Sequence, residues 1–183
     1  MSQLTPKAVA FITGVEGLIL EAYKDSKGIW TWSNGIAETS GYDVLQFKDK
    51  PSDIEFALRE GIKFMEKKYL PAVLRAFGDH PLTDNQLAAA ISFHWNTGAI
   101  ASATWVKDFL KGNVNTARSN FMAWRKPAAI IGRRTTECEL FFDAKWPSSL
   151  NATIWSVAKP SYKPVSPKSV NVMPILQQIM TGG

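Results

Sequence analysis

The stretch Leu87-Ala88-Ala89-Ala90-Ile91-Ser92-Phe93-His94-Trp95 sets the tightest limit on the fold. It is apolar nearly all round, and Thr83 with Gln86 just before it makes the capping-box pattern that opens a helix. A helix without a polar face has to be surrounded, so this one belongs at the centre of a bundle. Asn96-Thr97-Gly98 ends it. Further helices fit around Thr104–Lys111, Asn115–Trp124 and Ile130–Phe142, separated by Gly112-Asn113 and Arg125-Lys126-Pro127. His94 reads as a satisfied core histidine and Cys138 as a small buried hydrophobe.

The chain before residue 50 has a different character. Thr5-Pro6 is a helix start, Val9, Ile12, Val15 and Ile19 recur at helical spacing, and Gly17 is the natural stop. Glu16 then lies in the last turn. From Ala22 the pattern becomes strand-like: Tyr23–Asp25 and Ile29–Trp32 flank the turn Asp25-Ser26-Lys27-Gly28, and Ser33-Asn34-Gly35 is a second turn. Trp30 and Trp32 alternate with Thr31 and face away from it, into packing. Ser52 with Glu55 makes a capping box for an amphipathic helix that runs to Tyr69, with Leu70-Pro71 as a boundary or kink.

These features predict an α+β chain. A small β-containing lobe occupies about 17–50, a connector helix about 52–69, and a larger helical lobe about 70–146 together with the N-terminal helix. A groove between the lobes is the expected ligand site. After Trp146, Pro147, Pro160, Pro164, Pro167 and Pro174 interrupt long regular elements. Residues 147–171 read as an extended appendage and Pro174–Met180 as a short helix, so 1–146 forms the domain and 147–183 a C-terminal extension.

Composition excludes several classes. With Cys138 alone there is no intramolecular disulfide, and His80 and His94 do not have the spacing of a zinc site. No apolar run reaches the length of a membrane span, and the N-terminus does not read as a signal peptide. The net charge is +5, of which Lys145, Lys159, Lys163 and Lys168 contribute +4 in residues 144–183. Such a tail suits an anionic polymer or is simply solubilising, and no base-reading motif accompanies it.

The chemistry-bearing residues lie early. Cleaving a glycosidic bond needs a proton donor and a second carboxylate. Glu16, near a helix C-terminus where the macrodipole disfavours negative charge, suits the donor. Asp25, in a solvated turn, suits the carboxylate that stays charged, and Thr31, placed across the hairpin from it, suits a helper in holding water. An ordinary helix-end glutamate, turn aspartate and strand threonine would look the same.

Glu16-Gly17, then Ala22-Tyr23-Lys24-Asp25 with Gly28 and Thr31, resembles the signature of phage-type lysozymes, glycoside hydrolase family 24. Phe93-His94-Trp95-Asn96-Thr97-Gly98 resembles that family's central-helix segment, and Ile131-Gly132-Arg133-Arg134 with Glu137 and Leu140 its late helix. The resemblance spans roughly residues 8–146. It implies a lysozyme-like fold with the active-site cleft between its lobes. It further implies a muramidase that hydrolyses the β-1,4 bond between N-acetylmuramic acid and N-acetylglucosamine by inversion. Glu16 carries over as acid, and Asp25 with Thr31 as the groups directing water.

Trp95 and Asn96 are candidate sugar contacts. Arg133 and Arg134 occupy the family's basic position, where one would pair with Glu16 and oppose the helix-end effect, or where both form a structural salt bridge. Ser33 replaces the glycine usual after the threonine, which bears on the turn's backbone. The resemblance implies a monomer needing no cofactor or metal, with peptidoglycan strands as partner. It would be held in the host cytoplasm until a holin or a delivery machine gives access to the wall. Two rivals remain: a lytic transglycosylase, which needs no water-directing carboxylate, and an inactive lysozyme-like wall-binding protein.

Overall fold

Gly17 divides the first helix from the first strand, and the backbone shows why a glycine stands there. Its φ is +77°, a left-handed conformation that costs other residues, and its N–H donates to Thr13 O at 2.8 Å to close the helix. The computed structural model describes residues 4–182 of the chain. They form two units: the described residues up to Ala8 with Glu66–Ser148, and Val9–Met65 with the chain from Ser149 onward.

In the second of these units, α1 (Pro6–Glu16) leads directly into β1 (Leu18–Lys24), followed by β2 (Trp30–Ser33) and β3 (Ile36–Ala37). The strand begins at Leu18 rather than near Ala22. Leu18-Ile19-Leu20 is a short apolar run, compatible with either period, and the sheet decides it. Most of α1 clusters with this sheet and not with the helical unit, which departs from the grouping expected of the sequence.

The largest departure concerns the C-terminal stretch. Instead of an appendage, β4 (Ala152–Ala158) and β5 (Lys163–Val170) form an antiparallel pair, and β4 joins β1 in parallel through Leu18↔Ile154 and Ile19↔Trp155. The sheet order is β3-β2-β1-β4-β5. Pro164 and Pro167 are tolerated because β5 is an edge strand, where a missing N–H breaks nothing outward. The short helix expected at 174–180 is present as α8 (Met173–Thr181), anchored by buried Leu176.

β1 and β2 are not evenly paired. Ile19 lies opposite Ser33 and Tyr23 opposite Thr31, so a step of four residues on β1 faces a step of two on β2. Such a bulge takes backbone groups out of the ladder and bends the strand. The carbonyl of Leu20, inside the bulge, accepts instead from Trp32 Nε1 (3.0 Å), Ser52 N (2.8 Å) and Ser52 Oγ (3.2 Å). Ser52 is thereby engaged, and the cap of α2 (Ile54–Phe64) passes to Asp53, whose carboxylate accepts from Phe56 N at 2.7 Å. Trp32 is fully buried, stacked on Phe47 at 3.9 Å.

The turn after β2 settles the question raised by Ser33. Its φ is +55°, and its hydroxyl donates to Ala57 O on α2 at 2.9 Å. Next to it, buried Asn34 packs on α2 where Gly61 leaves room; a Cβ at Gly61 would meet Asn34 Nδ2 at 2.9 Å.

In the other unit, a π turn over Met65–Tyr69 precedes α3 (Leu70–Phe77). Pro71 falls in the first turn of α3, where its missing N–H would be unpaired anyway. α4 (Asp84–Thr97) carries the capping box at Thr83 and Gln86 and buries Leu87 through Phe93, as its pattern predicts. Around it stand α5 (Thr104–Leu110), α6 (Val114–Met122) and α7 (Ile131–Asp143). Trp105 fills the interior, 5.3 Å from Phe93, 4.8 Å from Phe121 and 5.0 Å from Phe141. Cys138 is buried as expected, but buried His94 Nδ1 has no hydrogen-bond partner among the described residues, so that nitrogen is not satisfied as anticipated. Its ring meets Tyr69 edge-on at 5.6 Å, and burial, then the Lys68 charge, holds it below the usual histidine range.

An ion-pair network locks α7 to α4. Glu137, fully buried, accepts from Ser92 Oγ (2.5 Å), Arg133 Nε (2.8 Å) and Arg134 NH1. Replacing Glu137 by alanine should cost about 3–5 kcal/mol, since it strands the Arg134 charge in the interior; denaturant unfolding measures this. In the same assay Ser33→Val should lose roughly 2–3 kcal/mol through a left-handed β-branched residue and a lost hydrogen bond, with Ser33→Gly within about 1 kcal/mol of the parent.

Candidate active site

Three of the residues singled out in the sequence lie together in the sheet-bearing unit. Glu16 is the last residue of α1 and is half-buried. Asp25 follows β1 directly. Its N–H donates to Ile29 O at 3.0 Å and its carbonyl accepts from Gly28 N at 3.1 Å, which closes the hairpin. Its side chain is held through one oxygen: Oδ1 accepts from Lys27 N and Ile29 N, both at 2.8 Å. Oδ2 has no protein hydrogen bond among the described residues, so the carboxylate is oriented and still has one oxygen to offer.

Thr31 sits on β2 and is nearly buried. Its partner across the ladder is Tyr23, not Asp25 as expected from sequence; the turn closes between Asp25 and Ile29, and the register runs from there through Lys24↔Trp30 to Tyr23↔Thr31. The threonine is nevertheless tied to the aspartate through Ile29, whose carbonyl accepts from Thr31 Oγ1 at 3.2 Å while its N–H holds Asp25 Oδ1.

Tyr23 is the residue that sequence reasoning passed over. Its phenol is pushed up to about 12, first by burial and then by the negative charges of Asp25 and Glu16. Both acids therefore act on one ring, which stays neutral across any physiological pH. The available signal was the period of a strand: Tyr23 is two residues before Asp25 and so on the same side of β1.

The other four candidates lie in the helical unit. Trp95 stacks on Tyr69, with ring centroids 4.3 Å apart. Asn96 Oδ1 accepts from Arg134 NH2 at 2.6 Å, and the residue helps line a hollow of about 510 Å³ with Trp124, Lys126 and Ile130. Arg134 is fully buried. Besides Glu137 and Asn96 it donates to Trp124 O at 2.9 Å, and its guanidinium lies 4.6 Å over the Phe93 ring. Burial pushes it down, Glu137 opposes this and Arg133 adds to it. Arg133 also donates to Ser92 O at 2.7 Å. The structural reading of this arginine pair thus accounts for Arg134, whose donors point into the protein.

No helix among the described residues is long and apolar enough to cross a membrane.

The sequence profile of the Phage lysozyme family matches residues 13–137. The chain is 32% identical to the endolysin of Acyrthosiphon pisum secondary endosymbiont phage 1, over 72% of this chain and 86% of that one. It is 28% identical to the endolysin of Salmonella phage P22, over 77% and 99%. Among solved structures, the endolysin from Escherichia coli O157:H7 phage FAHEc1 superposes with a TM-score of 0.67 at 26% identity, covering 80% of this chain and 98% of its own. A mixed α+β chain with a small sheet and a larger helical part, carrying two acids and a threonine within the matched segment, thus belongs to the phage lysozyme family and is a glycoside hydrolase of bacterial peptidoglycan.

Proposed function

We propose that the enzyme cleaves the β-1,4 bond between N-acetylmuramic acid and N-acetylglucosamine by a single displacement with inversion. Glu16 gives its proton to the departing glycosidic oxygen. A water held by Asp25 and Thr31 attacks the anomeric carbon from the opposite face and passes its proton to Asp25. Tyr23, whose phenol burial and both acids push up, stays neutral beside them and adds no further charge to the site. Trp95 and Asn96 are sugar contacts, and the hollow beside Asn96 is in keeping with that role. The enzyme acts as a monomer and reaches the wall with the help of a separate holin or delivery machine.

The observation that carries the hydrolytic reading is the mounting of Asp25. Two backbone N–H groups fix Oδ1 and leave Oδ2 unengaged by protein among the described residues, and the same Ile29 that holds Oδ1 receives the hydroxyl of Thr31. A lytic transglycosylase, in which the substrate's own hydroxyl displaces the leaving group, has no use for a carboxylate oriented in this way. An inactive wall-binding protein would gain nothing from it either.

Mass spectrometry of purified peptidoglycan after digestion should show reducing muramic acid ends, and 1,6-anhydro ends would overturn the proposal. Glu16→Gln and Asp25→Asn should each lower the clearing rate by about 10²-fold or more with the melting midpoint little changed. Parental activity in either variant would remove that residue from the mechanism.

A further inference from the structure

The second half of β1, which leads into Asp25, keeps β2 beside it through Tyr23↔Thr31 and Lys24↔Trp30 but lacks β4 on its other edge. β4 pairs with β1 only at Leu18 and Ile19. The tip of the β4–β5 hairpin takes over beyond that point. Lys24 N donates to Tyr162 O at 2.8 Å, and Lys163 Nζ donates to the carbonyl of Asp25 at 2.7 Å and reaches that of Lys24 at 3.4 Å. The Tyr162 ring meets Trp30, the neighbour of Thr31, edge-on at 4.9 Å. Lys159 forms ion pairs with Glu21, inside the bulge, and with Asp49 at 2.6 Å, while Tyr162 Oη donates to Asp49 at 3.1 Å. This tip lies outside residues 13–137, the segment matched by the family profile.

From this we infer that Lys163 is a positioning residue for Asp25, supplied by a hairpin that the matched family segment does not contain. The inference rests on the proposed role of Asp25 as the group that directs water. Lys163 does not touch substrate in this scheme. It bridges the two carbonyls at the end of β1 and so fixes the plane from which the Asp25 side chain departs. Tyr162, hydrogen-bonded one residue earlier through its own backbone, fixes the height of the same strand end.

Magnitudes separate this role from a structural one. An exposed lysine on a backbone carbonyl contributes little to global stability, as exposed charge contacts generally do. Misplacing a catalytic group by a fraction of an ångström, in contrast, is felt in the rate. Loss of Lys163 should therefore slow turnover without melting the protein or weakening its hold on the polymer.

The test compares initial rates over a range of peptidoglycan concentrations for the full chain and four variants, with the melting midpoint of each. Lys163→Met should lower the saturating rate roughly three- to tenfold, with the half-saturating concentration and the melting midpoint unchanged. Lys163→Arg, which keeps a donor at that position, should restore most of the rate. Lys168→Met, a charge-matched change on the same strand, should match the parent. A saturating rate unchanged in Lys163→Met, or one that falls only together with the melting midpoint, overturns the inference. Asp25→Asn distinguishes the levels: its inactivity leaves the reading of Asp25 standing whatever Lys163 does, whereas its retained activity removes both.

Discussion

The uneven pairing of β1 with β2 is the constraint on which the site depends. Glu16 and Asp25 are nine residues apart and stand at the two ends of one strand. Were that strand straight, its rise would set them about 30 Å apart, far beyond any joint action on a sugar. Both acids nevertheless bear on Tyr23, and the chain between them departs from a straight run at the left-handed turn of Gly17 and at the bulge between Ile19 and Tyr23. The cost of a bulge is a set of backbone groups without ladder partners. Here the cost falls on Leu20 O, and it is met by an indole and a serine brought from two other parts of the chain. Trp32 and Ser52 thereby help set the course of the strand between Glu16 and Asp25.

The turn that follows β2 obeys the same logic. A serine in a left-handed conformation is strained where a glycine would not be, and the resemblance to the phage-type lysozymes makes that serine look like damage. In the structure the strain is offset by a hydrogen bond onto α2 that glycine cannot make, and by the packing of Asn34 against Gly61. One small residue on α2 lets a larger turn residue in. The turn after Thr31 is held by a different set of contacts rather than lost, so Ser33 by itself gives no physical ground for reading the chain as an inactive relative.

What could be read in the sequence was whatever is decided locally. The stop of α1 at Gly17, the capping box of α4 and its apolar run are decided by a few adjacent residues, and they stand where their pattern puts them. The candidate acids and the threonine are singled out by local spacing of the same kind. The first half of β1, the capping role of Ser52 and the fate of residues 152–170 are decided by partners distant in the chain. Leu18-Ile19-Leu20 becomes strand because β4 arrives beside it; Ser52 is no cap because Leu20 needs a donor. Prolines and serines suggested an irregular tail, since the rule that tolerates them applies to an edge strand and nothing in the tail announces that it is one. Tyr23 was missed because its importance lies in a shared field, which spacing does not reveal.

The C-terminal hairpin also answers a problem that the strand order creates. Without β4, β1 would offer an unpaired edge beside the candidate acids, and a free edge invites pairing with another chain. Adding β4 alone would only move that edge outward. β5 closes the sheet with a strand that carries Pro164, Pro167, Lys163 and Lys168, residues that make poor templates for a further strand. The parallel contact of β1 with β4 joins stretches far apart in the chain, but closure entropy grows slowly with loop length. Most of the intervening residues have a core of their own around Trp105. The hairpin can thus be built from residues beyond the family's matched segment and still bear on the geometry of Asp25, because the strand it joins leads directly into that residue.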